Sequence, residues 1–266
     1  MRISQNNIFF ILFTLLPISI IIGPAVSLVN VIFIGVIYLF FFFKYNHLKH
    51  LSNNVTIKIF LILYLYLILN SLISLSFETS VLRNFGFVRF ILLFLAINYL
   101  FYIDIKNLRA FYIWTIIFLI FIFDVYFEKI IGTNIFGWGA ENMDGIPQAG
   151  SAIGFDGNRI VSFFKDEPIA GAFINGLIFL VIGYLLMTSK KKNFHLIVTI
   201  LFFVLSLVAV LITGERASTI KVFIGFFIFL FFLDFLKFRT KLLFLFILPT
   251  LIFVIISSSD YLKLRY

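Results

Sequence analysis

Cysteine is absent from this chain of 266 residues, which excludes disulfides, thiolate nucleophiles and cysteine metal sites. Charge is scarce: 12% of residues are Asp, Glu, Lys or Arg, against about 25% in ordinary soluble domains. Histidine occurs three times, and no His/Asp/Glu spacing proposes a metal site. His47 and His50 fall in a basic loop and His195 follows a lysine cluster, so none is placed as a catalytic base. Zinc-finger spacing, a basic helix and aromatic-basic interleaving are also missing. The formal net charge of +9 therefore carries no nucleic-acid site, because the basic residues sit in short clusters between apolar runs.

What is present is apolar. Hydrophobic residues make up 62% of the chain, with 40 Phe and a mean hydropathy of +1.14. The apolar runs are continuous and do not alternate, which rejects a lipid-facing β-barrel. An all-α polytopic transmembrane bundle is the expected fold, read as a single domain over 1–266. Each span needs about 20 apolar residues and must be helical, because lipid offers no partner to a free backbone group.

Nine spans are expected, at residues 8–22, 25–43, 59–77, 85–102, 110–127, 169–187, 195–212, 219–236 and 242–256. The first follows Arg2 and has no small-x-small cleavage site, so it reads as a retained span, bent at Pro17. Gly23-Pro24 makes a tight turn. Residues 78–84 read as a small polar turn holding Arg83. Arg89 lies slightly more than a turn inside the fourth span, where it suits either a structural anchor reaching headgroups or a partner for an inward phosphate or acid. Asp124, near the end of the fifth, suits either an interfacial position or a polar cavity. Gly171 and Gly176 suit close helix packing, and the phenylalanines read as lipid-facing bulk.

With a cytoplasmic N-terminus, twelve of the 21 basic residues fall in short inner loops, the Lys190-Lys191-Lys192 triplet above all. The outer side then holds Arg83, Arg216, the C-terminal tail and the long polar interruption 128–165. Rich in Gly, Asn and Asp, that interruption reads as mostly irregular. It keeps Trp138 and several isoleucines, so it should lie on the membrane surface, with Phe163, Phe164 and Trp138 rimming a lipid-facing opening. A loop of this length in a compact bundle tends to be functional.

Two outward patches concentrate the chemistry. Residues 154–171, GFDGNRIVSFFKDEPIAG, bring Arg159, Lys165, Asp166 and Glu167 to the start of a helix. Pro168 suits its first position, and the two acids suit its cap. Residues 213–218, TGERAS, bring Glu215 and Arg216 between two spans. Arginine's planar fork suits phosphate or diphosphate. The acids suit orienting Arg159, Lys165 or Arg216, or one of them serves as base toward a hydroxyl. Glu215 also suits a simple salt bridge to Arg216.

The arrangement RIVSFFKDEPIAGAF, followed two spans later by TGERAS, resembles the O-antigen ligase and Wzy-type oligosaccharide repeat unit polymerase superfamily. The resemblance spans most of the chain in layout, and its motifs cover about twenty residues. It implies a multi-pass glycosyltransferase of the bacterial inner membrane, without cofactor or metal, that uses undecaprenyl-diphosphate-linked glycan as donor. The acceptor would be lipid A-core or a second lipid-linked repeat unit. It further implies that Arg216 lies near the donor's diphosphate and that Arg159, with Asp166 and Glu167, belongs to the patch before the sixth span. Arg216 and Arg159 are thus the expected diphosphate-binding residues, and the residues themselves add Glu215, Lys165 and Arg89 as supporting polar groups. The family carries a large outer loop with a histidine base after its ninth span. The chain reaches Tyr266 where that loop should begin, so a C-terminal part is expected to be lacking and no catalytic residue is assigned. A transporter or a non-catalytic membrane subunit is the alternative.

Overall fold

A computed structural model describes residues 2–45, 55–103, 108–138, 160–165, 169–188, 192–232, 238–257 and 262–263. The described residues form eleven α-helices and a 3-10 turn, and the chain divides into two compact units, Met1–Ile113 and Trp114–Tyr266.

In the first unit, proline decides the opening. Pro17 has no amide to continue the helical ladder, and the expected bend becomes a break at Leu15 between α1 (Arg2–Thr14) and α2 (Leu16–Ile22). Side chains repair the site. Thr14 Oγ1 donates to the Phe10 carbonyl at 2.7 Å, and Asn30 Nδ2 from α3 (Pro24–Tyr45) reaches the Leu12 carbonyl at 3.1 Å and Ser19 Oγ at 3.2 Å. Gly23, at φ +147°, supplies the turn that only glycine adopts readily.

Helix α3 packs on α6 (Val88–Ile103), with Gly35 facing Leu92. Their seam is aromatic: Tyr99 meets Tyr38 at 5.9 Å and Phe41 at 5.6 Å between ring centroids. Between α3 and α6 lie α4 (Val55–Leu72) and α5 (Phe77–Phe85). The stretch read as a polar turn at 78–84 is therefore helical. Asn84 explains the packing, since its Nδ2 donates to the Leu67 carbonyl at 2.8 Å and to Ser71 Oγ at 2.6 Å.

The second unit is built on α7 (Arg109–Ile131), α8 (Ala170–Thr188), α9 (Lys192–Ile212), α10 (Arg216–Phe231) and α11 (Phe238–Ser257). Phe118 of α7 packs on Phe202 of α9, Phe121 on Phe173 of α8, and Phe203 of α9 stacks on Phe226 of α10 at 3.7 Å. Phe9, Phe13, Phe41, Phe118, Phe121 and Phe203 are all fully buried. The reading of phenylalanine as lipid-facing bulk is corrected: it also builds the core of each unit, because aromatic rings fill interhelical space without polar atoms to satisfy.

Five helical stretches among the described residues are long and apolar enough to cross a bilayer, in place of the nine expected: Pro24–Phe43, Val55–Leu72, Phe77–Tyr102, Arg109–Ile131 and Ala170–Thr188. The first expected run is cut to 13 and 7 residues by Pro17. The seventh keeps only Val198–Ile212 as a shorter apolar helix, and α10 stops after 16 residues. The ninth run falls in α11, which has Arg239 and Lys241 near its start and Pro249 inside it. Helix α7 runs on to Ile131, so the polar interruption begins at Gly132 and Glu128 is a helical residue.

Candidate functional site

At the C-terminal end of α7 two acids, Asp124 and Glu128, stand four residues apart and so share one helix face. Both are buried, Asp124 at 0% exposure and Glu128 at 5%. A buried carboxylate needs donors, and these come from the two ends of the long interruption. Glu128 accepts from the amides of Val161 (3.1 Å) and Ser162 (2.6 Å). Asp124 accepts from Ser162 Oγ (2.5 Å) and from the amide of Ile135 (3.0 Å). Positions 132–138 and 160–164 are thereby fastened to the same two turns of helix.

Asn134 completes the clasp. Its Oδ1 accepts from the amides of Phe136 and Trp138, and its Nδ2 donates to the Ser162 carbonyl at 2.8 Å. Ser162 is fully buried and has φ +50°, a conformation that side-chain-bearing residues avoid. Its amide, hydroxyl and carbonyl are all engaged, and together these bonds hold it there. Beyond the 3-10 turn Ser162–Phe164, Lys165 also has positive φ, at +55°, and is exposed.

The same end of this unit receives the start of α8 and the turn between α9 and α10. Glu215 Oε1 accepts from the amide of Gly171 at 2.9 Å, and Oε2 accepts from Ser218 Oγ at 2.8 Å. The Glu215 carboxylate thus satisfies a first-turn amide of α8 while binding a hydroxyl in the first turn of its own helix. One first-turn amide of α8, at the helix start where the sequence suits Asp166 and Glu167 as caps, is thus bound by a carboxylate from another helix. Gly171 is required for this approach: a Cβ there would come within 2.7 Å of Thr213 Oγ1 and 3.0 Å of Glu215 Cδ. Gly176, the other glycine given a packing role, has nothing within 4 Å of such a Cβ.

Two sequence patches two spans apart are therefore joined at one end of the second unit. Arg216 opens α10 as an exposed cation, and Lys165 is a second. Arg159, Asp166, Glu167 and Pro168 lie outside the described residues, as does the helix cap proposed for the two acids. Arg89 belongs to the first unit. Phe164, expected on a lipid-facing rim, is instead buried against Phe121 and Phe173, while Phe163 and Trp138 both meet Phe136. Sequence reasoning missed Glu128, Asn134 and Ser162. Only the i, i+4 spacing of the acids at the end of an apolar run signalled the first, and nothing local signalled the other two.

Chemically the site is a frame with cations on it. Asp124, Glu128 and Glu215 already accept hydrogen bonds from the protein, which suits them to hold backbone. Among the described residues no group of three His, Asp or Glu side chains could hold a metal ion. Compared with protein-family models, with curated proteins and with solved structures, the chain matches none of them.

Proposed function

We propose that this chain handles undecaprenyl-diphosphate-linked glycan in the bacterial inner membrane, as an O-antigen polymerase or ligase type of glycosyltransferase. In this reading Arg216 and Arg159 face the periplasm and bind the diphosphate, with Lys165 beside them. The N-terminus is cytoplasmic and the C-terminus periplasmic, and the acceptor is lipid A-core or a second lipid-linked repeat unit. The observation that carries the reading is the 2.9 Å bond from the Gly171 amide to Glu215, which joins the two cation-bearing patches. Guanidinium groups at a membrane boundary stabilise the charge that develops on a departing diphosphate, and they need no cofactor to do so.

A second reading, a non-catalytic subunit that presents the lipid to a partner enzyme, is favoured by the engagement of Asp124, Glu128 and Glu215 in holding backbone and hydroxyl groups. One experiment addresses both. The purified chain in nanodiscs is titrated with undecaprenyl diphosphate, and the same preparation is assayed for glycan transfer. Arg216→Ala should weaken binding at least about tenfold, or roughly 1.4 kcal/mol, with insertion intact. Unchanged binding rejects the diphosphate role, whereas binding without transfer by the wild-type chain selects the subunit.

A further inference from the structure

Arg89 sits much deeper between apolar helices than its place in the sequence implies. Helices α5 and α6 together form the apolar stretch Phe77–Tyr102, which pairs antiparallel with α4. Two contacts fix the register: Asn84 reaches Leu67 and Ser71, and Phe94 meets Phe60 with ring centroids 4.8 Å apart. Arg89 lies midway between Asn84 and Phe94, hence level with the middle of α4, near Tyr64. At a rise of about 1.5 Å per residue, that is roughly 11 Å below the Leu72 end of α4. An arginine side chain that snorkels covers only part of that depth.

Among the described residues the guanidinium meets an aromatic ring and no counter-charge. It lies 4.9 Å from the centroid of the Phe90 ring, and no ion pair to it occurs among the described residues. The hairpin is open on its flanks: Ile59, Ile62, Leu65 and Leu69 of α4 are exposed, as is Leu82 of α5. The helix is also remade at this height. Phe87, Arg89 and Phe90 donate to the carbonyls three residues back, of Asn84, Gly86 and Phe87, so the ladder there is 3-10 in type. A charge at this depth in a span is a functional position by default.

We infer that Arg89 is a phospholipid-phosphate site within the bilayer: a lipid headgroup is drawn down against the α4–α6 hairpin, its acyl chains covering the exposed leucines and isoleucines and its phosphate meeting the guanidinium. The lipid is chosen by chemistry, since one molecule supplies both the anion and the apolar cover. The inference does not rest on the function proposed for the second unit.

Native mass spectrometry of the chain released from nanodiscs of phosphatidylglycerol and phosphatidylcholine tests the site, with Arg89→Leu and Arg89→Lys alongside. The wild type should retain a phospholipid at least tenfold more than Arg89→Leu, and Arg89→Lys should recover part of the difference. Matched circular dichroism and a single size-exclusion peak establish that the variants are folded. A variant that fails this check is replaced by Arg89→Gln, scored in the same way. Equal retention by folded wild type and variant overturns the site. Displacement by millimolar inorganic phosphate, or preference for added undecaprenyl diphosphate over phospholipid, overturns the choice of ligand.

Discussion

Ser162 and Gly171 show how far single residues determine the candidate site. Ser162 combines a left-handed backbone with a hydroxyl bound to buried Asp124. Ser162→Ala and Ser162→Gly both lose that bond, but glycine also relieves the backbone. The glycine variant should therefore unfold later, by about 1 kcal/mol, in thermal melts of the detergent-solubilised protein. At Gly171 the added methyl meets atoms that cannot give way easily, because Thr213 Oγ1 is itself tied to the Val210 carbonyl at 2.7 Å. Gly171→Ala should cost about 1–3 kcal/mol. Gly176→Ala meets nothing and should be neutral or stabilising by up to about 1 kcal/mol. The same melting experiment compares the pair, and equal losses would remove the argument for a close approach at Gly171.

Among elements, α7 is the one to which both ends of the long interruption are fastened. Its last turns supply both acids that hold positions 132–138 and 160–164, and Phe121 packs on α8 through Phe173. Glu128→Gln places an amide group, itself a donor, against the two backbone donors of Val161 and Ser162. Hydrogen exchange at those two amides should accelerate at least about tenfold, while exchange in the middle of α8 stays unchanged. Exchange that stays slow at 161 and 162 would mean that Glu128 is not what protects them. Helices α8 and α10 meet through another small residue, Gly225, where a Cβ would fall 2.6 Å from the Phe179 ring. Gly225→Ala should displace that ring and lower the melting temperature, with a cost of about 1–3 kcal/mol.

For the whole molecule, the alternating course of α7, α8, α9 and α10 brings the start of α8 and the start of α10 to one end of the second unit, as the bond from Gly171 to Glu215 requires. A cysteine-free chain is well suited to testing this. Single cysteines in Lys165→Cys and Ala217→Cys should react with an impermeant maleimide from the same side of the membrane, and Thr188→Cys from the other. Labelling of 165 and 217 from opposite sides would break both the frame and the function proposed for it.

The sequence by itself determined the solvent and the class of fold: long unalternating apolar runs leave helices in lipid as the only way to satisfy the backbone. It also located the polar patches at 154–171 and 213–218 and assigned them to the same side, because charge gathers where apolar runs stop. Only the tertiary structure decided what those charges touch. Glu215 pairs with an amide 44 positions away and Glu128 with amides 33 and 34 positions away, separations that no local pattern encodes. Span limits were settled the same way. Packing of Asn84 on α4 extends the fourth span back to Phe77 and sinks Arg89 to its middle, whereas hydropathy alone stopped that span at the first polar residues it met.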